Sequence, residues 1–151
     1  MTRKEISLFF SSDHDRIDEL FTEFHKNKEG NPEKAKEYFH KFQSRLCQHL
    51  QWEEEVLFPL FATKTGINGY GPCAVMAQEH HHIQECLNLM AVKLARQEFI
   101  SDQEEDDFFL FLKKHNHKEE YILYPVIDEL TTLEERKKVL ERMGTPFIKN
   151  G

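Results

Sequence analysis

Apolar residues recur along this chain at intervals of three and four, the spacing that gathers side chains onto one face of an α-helix. Four stripes of this kind can be traced. The first passes through position 14, Ile17, Phe21 and Phe24. The second passes through Phe39, Phe42, Leu46, positions 49 and 53, Val56 and Leu60. The third holds Cys73, Met76, position 80, Ile83, Leu87, Met90 and Leu94; the fourth holds Phe108, Leu112, positions 115 and 119, Ile122 and Val126. No segment alternates with the two-residue period of a strand. Ser12 with Asp15, Asn31-Pro32-Glu33, Gly71-Pro72 and Ser101 with Glu104 each read as a helix start. Gly30 and the cluster Gly66, Gly69 and Gly71 fall between the stripes. Thr132 with Glu135 opens a further short helix that Gly144 stops. The pattern predicts an all-α fold: an up-down-up-down four-helix bundle with a short fifth C-terminal helix at 132–143.

Composition narrows the partners. A chain of 151 residues, 39% of them hydrophobic, is long enough for one core, so residues 1–151 are expected to form a single domain. The net charge of −7, with no basic block, argues against nucleic acid. Three cysteines, Cys47, Cys73 and Cys86, form an odd set without C-x-x-C spacing, which fits reduced thiols in a cytoplasm. The opening MTRKEISLFFSSDHD lacks the apolar stretch of a signal peptide, and no run approaches the roughly 18 apolar residues of a membrane span. A cytoplasmic protein without a membrane partner is therefore expected. The unusual quantity is nine histidines, the residue proteins use most for protons and metals.

The positions left unnamed on the stripes are His14, His49, Glu53, His80, His115 and Glu119. His49 and Glu53 share a helical face, and so do His115 and Glu119. Burying these groups among apolar side chains costs on the order of several kcal/mol for each unpaired charge. A metal pair held between facing helices is one established way to offset that cost. The spacing strengthens the reading. His14 and His80 are 66 residues apart, and the same interval separates His49 from His115 and Glu53 from Glu119. It also relates Ile17 to Ile83, Phe42 to Phe108, Leu46 to Leu112 and Pro59 to Pro125, and aligns HLQWEEEVLFP at 49–59 with HNHKEEYILYP at 115–125. The chain reads as a duplicated helical hairpin, roughly 12–65 and 72–130, plus the C-terminal helix. One buried histidine held by a hydrogen bond is ordinary, but six ligand-type residues repeating on core stripes are not.

Other features have plainer readings. His81, His82 and His117 point away from the stripes, and His40 is solvated; His25, about three turns below His14, is kept as a candidate fifth ligand. Glu37-x-x-His40 and Glu79-x-x-His82 match the ferritin-type spacing but miss the stripes. Pro59 and Pro125 should kink or end their helices. Trp52, Phe58, Tyr121 and Tyr124 flank the motifs as packing residues, with one of them walling a small-ligand pocket. Cys47 and Cys86 belong to core packing. The acidic run at 102–107 reads as a solvated helix start. The tail Pro146-Phe147-Ile148 and the fifth helix are expected to dock on the bundle.

The two His-x-x-x-Glu-Glu-x-x-Leu-aromatic-Pro strings and the segment Met76-x-x-Glu79-His80-x-x-Ile83 resemble the hemerythrin-like family, the HHE cation-binding domain. The resemblance runs from His14 to about Leu130. It implies two non-haem Fe ions with an oxo or hydroxo bridge, His14, His49, His80 and His115 as terminal ligands, and Glu53 and Glu119 as bridges. The oxygen carriers of the family have a histidine where this chain has Gln84, and an aspartate five residues after the last ligand histidine, where Glu120 stands. The doubled His-x-x-x-Glu form is closer to iron-centre repair proteins and iron or redox sensors. Six side chains would fill about eight of roughly twelve positions around two six-coordinate ions, which leaves room for a small ligand. The resemblance thus implies a protein that binds or senses O₂, NO or peroxide, or handles iron for repair or storage. A di-iron oxidase or peroxidase, and an iron-dependent folding or interaction module, are the alternatives.

Overall fold

Each helix start is set by its own local chemistry. Asn31 accepts the Lys34 N–H ahead of Pro32, Ser101 and Glu104 form a reciprocal capping box, and Thr132 and Glu135 form another. Gly71, at φ +84°, leads into Pro72, and Gly66, at φ +74°, closes a helix in the left-handed conformation that suits glycine. The computed structural model describes residues 4–144, and every regular element among them is helical. The elements are α1 (Glu5–Asn27), α2 (Pro32–Trp52), α3 (Phe58–Thr65), α4 (Pro72–Ala95), α5 (Asp102–Lys118), α6 (Tyr124–Leu130) and α7 (Leu133–Arg142). Helix α1 packs along α2 and also meets α6 and α7, while α4 touches both α2 and α5. The tail Pro146-Phe147-Ile148 lies outside the described residues.

Two elements depart from the sequence reading. Helix α1 starts at Glu5 rather than near Ser12, which is an exposed mid-helix residue. Ile6, Phe9 and Phe10 are buried and carry the apolar face upward by two turns. The cap is not local. The Asp128 carboxylate, from the end of α6, accepts the Ile6 and Ser7 N–H groups, each at 3.0 Å, and the Ser7 hydroxyl at 2.6 Å. These are donors that a helix start leaves free. Glu105 is the second departure. It belongs to the acidic run expected to be solvated, yet it is buried, because His25 Nδ1 lies 2.6 Å from one of its oxygens and the Lys28 ammonium pairs with the other.

Between α2 and α3, and again between α5 and α6, the chain makes one π-helical turn, at Glu53–Leu57 and Glu119–Leu123. The Phe58 N–H bonds to the Glu53 carbonyl and the Tyr124 N–H to the Glu119 carbonyl, five residues back rather than four. Pro59 and Pro125 explain the widening. Neither has an N–H for the carbonyl four residues earlier, and an α turn would drive its ring into that carbonyl. The helical path therefore continues with one extra residue per turn instead of stopping. That residue shifts the buried face. Ile122 and Val126, expected inside, are 59% and 41% exposed, while Leu123 and Ile127 are 2% and 1% exposed. Leu57 and Phe61 likewise enter the core, and Leu60 is only half-buried.

The core is divided into two. One apolar cluster holds Ile17, Phe21, Phe24, Phe39, Phe42, Leu46, Ile83, Leu87, Phe108 and Leu112. The other holds Ile6, Phe10, Leu57, Phe61, Met76, Leu123 and Ile127, with Val139, Leu140 and Met143 docking α7 against it. A layer of buried polar residues lies between them along each long helix. Substituting Asp128→Ala leaves two N–H groups and a hydroxyl unpaired in a buried setting. A loss of about 3 kcal/mol in stability is expected, read from urea denaturation; a loss below about 1 kcal/mol would contradict this role for the carboxylate.

Candidate metal centre

The polar layer contains His14 from α1, His49 from α2, His80 from α4 and His115 from α5, with Glu53 and Glu119 opening the two π turns. All six are buried. Their inward atoms form two halves. In one, His80 Nε2 lies 3.1 Å from Glu53 Oε1 and 3.6 Å from Glu119 Oε2, and His115 Nε2 lies 3.3 Å from Glu119 Oε2. In the other, His14 Nε2 lies 3.3 Å from Glu119 Oε1, and His49 Nε2 lies 3.7 Å from Glu53 Oε2. Each carboxylate thus turns one oxygen to each pair of imidazoles.

Behind each imidazole stands a second carboxylate. Nδ1 of His14, His49, His80 and His115 lies within 2.7–2.8 Å of Glu120, Asp13, Glu54 and Glu79 in turn. Arg45 donates to Asp13 at 2.7 Å, and Lys118 pairs with Glu79. These four acids were missed in the sequence because they sit beside the stripes, not on them. The signal was present: Asp13 and Glu79, and Glu54 and Glu120, are each 66 residues apart. With Nδ1–H committed outward, a neutral imidazole directs its Nε2 lone pair at the centre, the arrangement common to metal-bound histidines.

Tyr124 was only a flanking aromatic in the sequence, but it is wholly buried at the centre. Its counterpart 66 residues earlier, Phe58, stacks on the His80 ring at 5.6 Å between centroids. Phe58 and Glu54 also line a cleft of about 590 Å³ with Pro59, Ala62, Cys73 and Ala77. Burial and the charges of Glu53 and Glu119 push the Cys73 thiol up to about 12, so it stays protonated. Gln84 is exposed, as are His40, His81, His82 and His117. His25, the candidate fifth ligand, belongs instead to a separate cluster with Asp102 and Glu105.

Charge balance ties the six residues together. Burial and repulsion from Glu119 hold the Glu53 carboxyl above its usual range. Burial opposes the Glu119 carboxylate too, but His115, His14 and His80 outweigh it and hold its pKa well down. Burial also disfavours a charged His14 or His80. Glu119 and Glu120 overcome this for His14, and Glu119 and Glu53 for His80, which raises each to about 10. Without a cation, protons on the imidazoles do the work of neutralising the buried carboxylates.

The donor set fits a metal. Glu53 Oε1, His80 Nε2, His115 Nε2 and Glu119 Oε2 are buried with no hydrogen-bond partner in suitable geometry. Ligand atoms of Glu53, His80, His115 and Glu119 lie close enough together to hold one ion, and those of His14, His49 and Glu119 to hold another. A raised imidazole stabilises the fold fully below its unfolded value of 6.5, and that contribution disappears as pH climbs through about 10. Chelator-treated protein should therefore melt at progressively lower temperature between those limits when followed by circular dichroism. A flat profile would contradict the charge balance described above.

Comparison with known proteins agrees with this geometry. The chain matches the family model of the hemerythrin HHE cation-binding domain over residues 7–142. It is 33% identical over 66 residues to the iron-sulfur cluster repair protein YtfE of Cronobacter sakazakii (strain ATCC BAA-894), a match covering 44% of this chain. The chain spans only 30% of that relative's length, and the similarity fits the repair type of the family. No solved structure matches the chain. No helix among the described residues is long and apolar enough to cross a membrane. The chain belongs to the hemerythrin HHE cation-binding domain family.

Proposed function

We propose that this chain is a cytoplasmic non-haem di-iron protein that binds or senses a small molecule, O₂, NO or peroxide, or handles iron for cluster repair or storage. The observation that carries the reading is the division of Glu53 and Glu119, each with one oxygen toward His80 and His115 and the other toward the His14 and His49 side. That division supports Glu53 and Glu119 as bridging carboxylates and the four imidazoles as terminal ligands. We further propose that the long helices run up-down-up-down as a duplicated hairpin within one domain, which puts the two half-sites about a pseudo-twofold axis.

The oxygen and nitrogen donors suit iron, and no thiol is among them. Two ferrous ions would supply electrons to a small bound molecule, with an oxo or hydroxo bridge between them when oxidised. The protein's own contributions are separate. Asp13, Glu54, Glu79 and Glu120 fix the imidazoles and keep Nε2 inward. The two apolar clusters keep bulk water from the layer between them. The cleft is lined by Phe58, which stacks on His80, and by Glu54, which hydrogen-bonds to it, so it borders the His80 and His115 half. The similarity to an iron-sulfur cluster repair protein supports iron handling as the broader role. A binding or sensing role is preferred here to a turnover enzyme.

Metal analysis of protein purified without metal supplements tests the reading, with close to two irons per chain expected. Less than about half an iron per chain, or mostly zinc, would overturn it. A finer prediction concerns Glu54. Because it only orients His80, Glu54→Ala should weaken iron retention against a competing chelator by about 10–100-fold while the fold persists. Unchanged retention would show that the outer carboxylates do not support the ligands.

A further inference from the structure

The two half-sites differ in the residue that precedes the proline. On the His80 side, the residue before the proline is Phe58, which has no donor atom. On the His14 side it is Tyr124. Its Oη lies 2.6 Å from Glu53 Oε2, 3.0 Å from Glu119 Oε1 and 3.3 Å from both His14 Nε2 and His49 Nε2. One hydroxyl proton can serve only the nearest of these, the Glu53 oxygen. The distances match another arrangement. Donor atoms about 2.1 Å from a common ion, at right angles, stand about 3 Å apart. The phenol oxygen therefore sits at the spacing of a fifth donor beside two imidazoles and two carboxylate oxygens.

The side chain has little freedom to leave. Its ring is fully buried, packed 5.2 Å from Phe10 and 5.8 Å from His14 between centroids. Its backbone is fixed at the first residue of α6, directly after the π turn, and the imidazoles around it are held from behind by Glu120 and Asp13. An ion bound among His14, His49 and Glu119 must meet this oxygen.

Building on the di-iron reading above, we propose that Tyr124 is a seventh protein ligand, bound as a phenolate to the iron of the His14–His49 half. The phenol oxygen exchanges its proton, released to the buffer, for a bond to the ion; no electron is transferred in this step. The two irons are then unequal. The His14–His49 half then has five protein donors against four in the His80–His115 half, which lies next to Phe58 and the cleft and keeps more room for an external ligand.

The test is to load the full chain with iron, oxidise it to the ferric state, and record visible absorption and resonance Raman spectra with iron content measured on the same sample. The expected result is a phenolate-to-iron charge-transfer band with phenolate ring vibrations. Both should be lost in Tyr124→Phe, which keeps the buried ring, and kept in Tyr121→Phe, whose tyrosine is exposed. Circular dichroism establishes that each variant is folded. Should Tyr124→Phe fail to fold, wild-type protein labelled by deuterated tyrosine decides the matter: ring modes that shift on labelling support phenolate ligation, and modes that do not shift overturn it. Two irons per chain without the band, or a band with ring modes surviving in Tyr124→Phe, overturns the ligand assignment alone. A wild-type chain that takes up no iron overturns the di-iron reading and this assignment with it.

Discussion

Two carboxylates buried side by side govern this structure. Glu53 and Glu119 are withdrawn from water, and their mutual repulsion in a medium of low polarity is compensated only by cationic or metal neighbours. Four imidazoles surround them, four further acids stand behind the imidazoles, and Arg45 and Lys118 flank two of those acids. Charge thus alternates outward in shells from the centre. Apolar clusters above and below isolate the layer, which strengthens every interaction within it. The centre is stable as a set, and no member can be judged alone.

The stripes and the 66-residue interval made the six central residues legible, because each sits where a leucine or phenylalanine would be expected. Asp13, Glu54, Glu79 and Glu120 were less visible. A polar residue beside a stripe looks like surface until its partner imidazole is placed. The start of α1 was hidden for another reason: its cap, Asp128, comes from the far end of the chain, and no local signal at Glu5 could report it. Glu105 was misread as solvated because nothing in an acidic run distinguishes the member that meets Lys28 and His25.

The π turns account for the remaining differences. A stripe extrapolated at 3.6 residues per turn passes through Ile122 and Val126, whereas the extra residue turns Leu123, Tyr124 and Ile127 inward. Pro59 and Pro125 were visible as helix disturbances, but a missing donor can end, bend or widen a helix, and only packing selects among these. Widening is what brings Tyr124 to the centre. Because Phe58 occupies the matching place 66 residues earlier, two similar stretches of sequence carry a chemically asymmetric core.

The Asp128 clasp has a consequence for how the molecule is assembled. It joins residues 121 and 122 positions apart, so the first turn of α1 lacks its cap until α6 has emerged and folded. Such long-range closure is slow relative to local helix formation. His14 lies on the same helix, two turns beyond that clasp. The half-site that needs His14 therefore rests on a helix whose start is fixed by a contact from α6. His49 and Glu53 stand four residues apart on one helical path, but the cage is complete only when α1 has met the segment after α5, so the centre is assembled by contacts distant in sequence and not by any single hairpin.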